Sequence, residues 1–200
     1  MAFQYYAIYK PFGMLSQFSR EHPSHQTLAD LSFNFDKDVY PIGRLDKDSE
    51  GLLLLSNNRS INHSLLHPNK AHPRSYWVQV EGQITPEALQ QLGTGVDITI
   101  NKKRYNTRPA KVQLLAQTPL IPNRNPPIRY RKNQPTSWIN LTLIEGKNRQ
   151  VRRMTAAVGF PTLRLVRHQI VDLCINNWEA GAVYAIAPDD FKRLLQLHKI

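Results

Sequence analysis

A chain of 200 residues that is 41% hydrophobic can bury a sizeable core as one domain, which excludes a predominantly disordered protein. The single cysteine, Cys174, excludes an intramolecular disulfide, and no signal peptide or membrane-spanning stretch is evident, so we expect a cytoplasmic protein. The net charge of +11 is concentrated in residues 98–171, where 15 Lys and Arg accompany one acid, Glu145. Because these basic residues are not gathered on one amphipathic helix, they favour a folded nucleic-acid surface over a membrane.

The first half of the chain predicts four strands and two short helices. Four consecutive leucines, Leu52 to Leu55, are typical of a strand that is buried on both faces. Pro86 after the capping residue Thr85 indicates the start of a helix. The predicted strands cover 4–9, 39–42, 51–55 and 74–81, and the predicted helices cover 61–66 and 86–92.

The second half begins with a long loop. Residues 119–135 contain five prolines and four basic side chains, and loops of this length often serve a function. Because strands outnumber helices and do not alternate with them, we predict an α+β fold with a mixed, largely antiparallel sheet flanked by helices. Strands are predicted at 138–144, 163–166 and 183–186, and helices at 147–158, where Gly159 ends the helix, and at 188–198.

A charged loop lies between two predicted strands and offers three carboxylates, Asp46, Asp48 and Glu50. One interpretation is a solvated acidic turn. The other is a nucleophile or base that a rigid scaffold holds beside a cationic groove. The residues alone do not separate these interpretations.

The helix predicted at 147–158 carries three arginines with different expected roles. Its apolar face is formed by Val151, Met154, Thr155 and Val158. Arg149 and Arg153 point away from this face, as phosphate-binding residues would. Arg152 lies nearest the apolar face, so it is the arginine best placed to enter a cleft and pair with a carboxylate.

Tyr76 and its neighbour Trp77 lie on a predicted strand, so their side chains point to opposite faces. Tyr76 is either a core residue or an aromatic platform for a nucleotide base. His63, His67 and His72 lie close together, but Ser64 replaces the glutamate of a zinc-protease motif. We therefore expect no metal site, and the absence of glycine-rich phosphate loops indicates no nucleotide cofactor.

Four stretches, taken in order, resemble the motifs of the pseudouridine synthases, in particular the branch of the ribosomal small-subunit synthase A type. The resemblance covers nearly the whole chain, and four ordered motifs are far more specific than one. Residues 125–129 and 135–138 further resemble the members that act on the large ribosomal subunit. The four motifs are Tyr9-Lys10-Pro11-Phe12-Gly13, Gly43-Arg44-Leu45-Asp46-x-x-Ser49-x-Gly51-Leu52-Leu53, Arg74-Ser75-Tyr76-Trp77-Val78, and residues 145–154.

The resemblance implies an enzyme that isomerises a uridine of 23S ribosomal RNA to pseudouridine, as a monomer and without metal or cofactor. Asp46 would be the essential carboxylate, by covalent attack or on a glycal route. Tyr76 would stack on the base and assist removal of the proton at C5, and Arg152 would pair with Asp46. Expected RNA-binding residues are Arg44, Lys10, Lys147, Arg149, Arg153, Arg124, Arg129 and Arg131.

This chain departs from the family pattern at three points. Tyr9 replaces the usual Asn, and Ser49 replaces the usual Thr but retains the hydroxyl. The chain starts directly at the catalytic domain, so we expect one domain in two lobes around a cleft, without a separate N-terminal RNA-binding domain. A non-catalytic rRNA-binding or assembly factor, suggested by the basic segment alone, and a metal-dependent nuclease are the alternatives.

Overall fold

The computed structural model describes residues 2–67, 70–129 and 131–197, apart from the side chain of His63. Eleven strands, four α-helices and a 3-10 turn at Leu28–Asp30 are found within these ranges. The strands are β1 (Tyr5–Lys10), β2 (Tyr40–Ile42), β3 (Glu50–Ser56), β4 (Arg74–Glu81), β5 (Asp97–Ile100), β6 (Lys103–Asn106), β7 (Lys111–Leu115), β8 (Thr136–Leu143), β9 (Thr162–Ile170), β10 (Leu173–Cys174) and β11 (Val183–Ala185). The helices are α1 (Arg59–Leu66), α2 (Pro86–Thr94), α3 (Gln150–Ala157) and α4 (Pro188–Leu194).

One large sheet organises the molecule, with the strand order β11-β1-β3-β9-β4-β8-β7. In addition, β2 pairs with β3 and β10 with β9, while β5 and β6 form a separate hairpin. Among the described strands, β3 and β9 are the pair that runs parallel, and the other pairs are antiparallel. The predicted α+β class with a mixed, largely antiparallel sheet is therefore confirmed.

The leucine-rich strand β3 is buried along its entire length, as predicted. Leu52 and Leu54 pack into one hydrophobic core, whereas Leu53 and Leu55 pack into another on the opposite face. Gly51 lets the parallel strand β9 approach, because a Cβ atom at this position would lie 2.3 Å from the carbonyl oxygen of Arg167. The charged loop before β3 is thus anchored to the centre of the sheet.

Strand β4 separates its two aromatic side chains as the alternation predicts. Tyr76 packs against the core formed by β4, β8, α2 and α3, and Trp77 packs against the core on the other face. The Trp77 ring also stacks on His168, with centroids 4.2 Å apart. Tyr76 is thereby left on the face that carries the candidate site.

Several element boundaries differ from the prediction. Helix α3 begins at Gln150 rather than at residue 147, because Arg149 has a left-handed backbone with φ of 50°. Strand β9 is longer than predicted, and the half-exposed strands β5 to β7 were missed because their polar residues interrupt the apolar alternation. Helix α4 ends at Leu194, and the predicted end at residue 198 lies outside the described residues.

Candidate active site

A cavity of about 470 Å³ opens beside the charged loop. It brings together five residues that the sequence predicted for the site: Asp46, Tyr76, Arg44, Lys147 and Arg149. Among the described residues that line it, six carry a positive charge and two, Asp46 and Glu145, carry a negative charge. Such a pocket attracts a polyanion while presenting a carboxylate to it.

The backbone on both sides of Asp46 is fixed by the segment that follows β1. The Ser16 hydroxyl donates to the carbonyl oxygen of Leu45 at 2.8 Å and accepts from the Leu45 amide at 3.0 Å. The Gly13 amide donates to the carbonyl oxygen of Lys47 at 2.8 Å. Asp46 therefore projects from a braced turn, and its side chain remains 39% exposed to the cavity.

The structure pairs Arg152 with Asp48 rather than with Asp46, which corrects the expected pairing. Arg152 Nε lies 3.3 Å from Asp48 Oδ2, and Arg152 Nη2 donates to the carbonyl oxygen of Asp48. Arg152 lies on the first turn of α3, beneath the charged loop, so it meets the backbone of that loop before it can reach Asp46. It is not among the residues that line the cavity.

Among the described basic residues, Arg149 is the one that forms an ion pair with Asp46. Its left-handed backbone turns the side chain into the cavity, whereas a helical residue 149 would have pointed outward as predicted. The guanidinium forms two hydrogen bonds with the Asp48 carboxylate, at 2.9 and 2.7 Å, and lies 3.8 Å from Asp46 Oδ2. Although burial acts to raise the pKa of Asp48, Arg149 and Arg152 lower it overall.

Lys10 is fully buried, which contradicts its predicted role in RNA binding. Its ammonium group donates to the carbonyl oxygens of Pro11 and Met14, at 2.9 and 2.7 Å. Burial lowers the pKa of Lys10 to about 8, while Glu50, Asp48 and Asp46 oppose this shift. Lys10 thus supports the turn that braces the Asp46 loop, and no phosphate can reach it.

The other predicted RNA-binding residues are distributed over two regions. Lys147 lies over the ring of Tyr105 at the cavity, and Arg44 donates to Gln17 Oε1 at 3.1 Å. Arg153 donates to the carbonyl oxygens of Thr99 and Asn148 and so ties α3 to the β5–β6 hairpin. In the long loop, Arg124 covers the ring of Phe12, Arg131 pairs with Glu81 at 2.9 Å, and Arg129 is exposed.

Glu145 and Arg167 are two cavity residues that were not singled out from the sequence as site residues. Glu145 accepts hydrogen bonds from the Tyr105 hydroxyl, the Arg108 amide and the Gln150 side chain, and so joins the β5–β6 hairpin to α3. Arg167 lies buried on β9, directly opposite Tyr76. The signal for Arg167 was an arginine inside an otherwise apolar strand, and the signal for Glu145 was a lone acid in a basic region.

No group of three or more His, Cys, Asp or Glu side chains that could hold a metal ion occurs within the described ranges. Of the helices that the structure describes, none has the length and apolar character needed to cross a membrane. His72 lines the cavity, and burial lowers its pKa.

Comparison with known proteins gives a consistent result. A sequence profile described as RNA pseudouridylate synthase matches residues 4–157. Ribosomal large subunit pseudouridine synthase E from Xanthomonas axonopodis pv. citri is 49% identical over 87% of this chain and 86% of its own length. The protein of the same name from Vibrio parahaemolyticus is 46% identical over 86% of this chain and 69% of its own length.

A more distant relative shares the sequence similarity, and a solved structure shares the fold. Ribosomal large subunit pseudouridine synthase B from Bacillus subtilis is 34% identical over 96% of this chain and 72% of its own length. A crystal structure of a pseudouridylate synthase has the same fold, with a TM-score of 0.76 over 96% of this chain and 74% of that one, at 23% identity. The chain, with its carboxylate loop and cationic pocket, therefore belongs to the RNA pseudouridine synthase family.

Proposed function

We propose that this protein isomerises a uridine of 23S ribosomal RNA to pseudouridine and that Asp46 is its essential carboxylate. The observation that carries the proposal is the half-exposed Asp46 side chain, which projects from a braced loop into a pocket with six cationic residues. The names of the relatives that share 45 to 49% identity support large-subunit rRNA as the substrate. The motif at residues 125–129 supports the same group of enzymes.

The roles of the neighbouring residues follow from their positions. Tyr76 lines the same pocket as Asp46, so its ring can stack on the target base and its hydroxyl can assist removal of the C5 proton. The base must leave its helical stack to enter the pocket. Arg149 is the cation beside Asp46, whereas Arg152 stabilises the loop through Asp48.

RNA docking would use the positive rim of the pocket and the long loop. Arg44, Lys147 and Arg149 surround Asp46 and can bind the phosphates on either side of the target nucleotide. This contact would be extended by Arg153, Arg124, Arg129 and Arg131. Lys10 is buried and takes no part in RNA binding. We also infer that the reaction needs no metal, because the isomerisation consumes neither electrons nor an energy source. A cytoplasmic monomer remains part of the proposal.

We further infer that residues 119–135 select the substrate. The loop is attached beside the catalytic loop, since Arg164 donates to the carbonyl oxygen of Pro122 at 2.7 Å and Arg124 lies 4.1 Å from the Phe12 ring centroid. Arg164 is also bound to Glu50, the residue at which β3 begins. A basic segment that is anchored next to the active site is well placed to recognise RNA around the target.

The test uses purified protein and unmodified 23S rRNA, with pseudouridine mapped chemically at nucleotide resolution. One new pseudouridine is expected with the wild type and none with Asp46→Asn, while both proteins bind the RNA equally. Asp172→Asn, at an exposed carboxylate outside the cavity, is the matched control and should be fully active. A silent Asp46→Asn substitution would instead indicate a non-catalytic RNA-binding protein.

A further inference from the structure

Arg167 is a buried cation in the middle of the sheet. It lies on β9, between β3, which follows the Asp46 loop, and β4, which carries Tyr76. Tyr76 and Arg167 are direct partners in an antiparallel pair, so their side chains share one face. Arg167 is also among the residues that line the cavity containing Asp46.

The charge of Arg167 is not neutralised by a carboxylate in the part of the chain that the structure describes. Its Nε donates to the carbonyl oxygen of Leu52 at 2.8 Å, but its Nη2 is buried without a hydrogen-bond partner. By contrast, Arg164 on the same strand is bound through two hydrogen bonds to Glu50. A buried charge without a carboxylate partner is costly to the fold, so a role in the reaction would account for its presence.

Among the described residues, Tyr76 and Arg74 are the titratable or charged groups that act on Arg167. Burial lowers the pKa of its guanidinium, the Tyr76 hydroxyl opposes this shift, and Arg74 adds to it. An arginine nevertheless stays protonated inside a protein. The part of the cavity formed by Arg167, called its floor below, is therefore permanently positive near Tyr76.

If the proposed function holds, the charge balance of the isomerisation indicates what a cation at the position of Arg167 would do. When the N1–C1′ bond breaks, its electron pair leaves with N1, and the uracil carries one negative charge. On the covalent route, Asp46 loses its charge by forming an ester at C1′. On the glycal route, it loses the charge by taking the C2′ proton.

Both routes therefore move one negative charge from Asp46 to the detached uracil, and the second half of the reaction returns it. C5 then forms the new bond to C1′, while the ester opens or the proton returns to C2′. The C5 proton is released and N1 gains a proton, so no co-reactant is needed. A cation at the floor of the pocket would stabilise the state in which the base holds the charge.

We propose that Arg167 is a catalytic residue that stabilises the uracil anion after it leaves C1′ and before C5 attacks. The guanidinium faces the base from the floor of the pocket, while Arg149 faces Asp46 at the rim. The two cations thus serve opposite ends of the charge movement. Arg167 would stabilise the anionic intermediate much more than the bound RNA substrate, because the target uridine is neutral.

The experiment measures single-turnover rates and RNA affinity for the wild type, Arg167→Met and Arg167→Lys. We expect Arg167→Met to react roughly 100- to 1,000-fold more slowly with unchanged RNA affinity, as when one stabilising group is removed from an anionic intermediate. Arg167→Lys should be most active at mildly acidic pH and lose activity as the pH rises, because a buried lysine deprotonates. Arg193→Met, which removes one exposed cation on α4, is the matched control and should be fully active.

A second substrate separates an electrostatic role from a structural one. The same RNA with 5-fluorouridine at the target has a more stable base anion, because fluorine withdraws electrons. Loss of substrate nucleoside in single turnover should show a smaller defect for Arg167→Met on this RNA than on the uridine RNA. Equal defects on both RNAs, a defect that follows RNA affinity, or a fully active Arg167→Met would overturn the proposal.

The wild type distinguishes a failure of the proposed function from a failure of the role of Arg167. If it forms no pseudouridine, the proposed function itself fails. If the wild type is active and Arg167→Met is equally fast, only the role of Arg167 fails. If Arg167→Met does not fold, the pH dependence of Arg167→Lys decides. A purely structural role predicts the same pH–activity profile for Arg167→Lys as for the wild type.

Discussion

Ser16 holds both backbone polar groups of Leu45, the residue before Asp46, with one hydroxyl. It donates to the Leu45 carbonyl oxygen at 2.8 Å and accepts from the Leu45 amide at 3.0 Å. Ser16 is 3% exposed, so water cannot replace these bonds. The orientation of the Asp46 side chain therefore depends on a residue that is thirty positions earlier in the chain.

We expect Ser16→Ala to lower the turnover rate about 100-fold, the effect of misplacing a reacting group by about 1 Å. Ser56→Ala is the matched control, because Ser56 donates to the Gln4 carbonyl oxygen and accepts from the Asn58 amide at the other end of β3. Both variants should lose about 1–3 kcal/mol of unfolding free energy, since each leaves buried backbone groups unpaired. Urea unfolding and single-turnover kinetics measure the two effects, and equal activity of the two variants would contradict the bracing role.

The long loop provides a second test, in which its positive charges are reversed, beginning with the exposed one. Arg129 is exposed, and we expect Arg129→Glu to weaken rRNA modification while leaving the melting temperature unchanged. Adding Arg124→Glu and Arg131→Glu should increase the effect, although these side chains also contact Phe12 and Glu81. Arg193→Glu, on α4, is the control for a change in net charge, and unchanged modification by the triple variant would remove the loop from substrate selection.

The buried pair of Glu50 and Arg164 predicts a large effect on stability. Two hydrogen bonds of 2.8 Å join the side chains, which are 4% and 9% exposed. Glu50→Gln should lower the unfolding free energy by about 3–5 kcal/mol, because it leaves the arginine charge buried without a counter-charge. Asp190→Asn breaks an exposed pair with Arg193 and should cost less than about 1 kcal/mol. A loss below about 1 kcal/mol for Glu50→Gln would mean that solvent reaches the Arg164 site.

His168 predicts how stability changes with pH. Burial lowers its pKa from 6.5 to about 4, so the unfolded chain binds a proton before the folded protein does. Its contribution to stability is therefore complete above pH 6.5 and declines as the pH falls toward 4. Between pH 7 and 5 the wild type should lose about 2 kcal/mol more than His168→Gln in urea unfolding. His22→Gln, at an exposed histidine, is the control, and identical pH profiles for the wild type and His168→Gln would contradict the prediction.

The sequence by itself determined the class of the fold, the buried strand β3 and the placement of Tyr76 and Trp77 on opposite faces of one strand. These features follow from local periodicity, since four leucines or an alternating strand report burial without knowledge of their neighbours. The order of the four motifs also identified the family and selected Asp46 from three nearby carboxylates. The missed strands β5 to β7 lack such a pattern, because their side chains are polar and half-exposed.

Only the tertiary structure decided which charges neutralise one another around Asp46. Lys10 is buried in contact with backbone carbonyls, and Arg152 binds Asp48, although both looked free to bind other groups in the sequence. The pairing of β3 with β9 joins residues more than 100 positions apart and places Arg167 at the floor of the pocket. The role of a buried charge depends on which groups lie close enough to pair with it, and those groups come from distant parts of the chain.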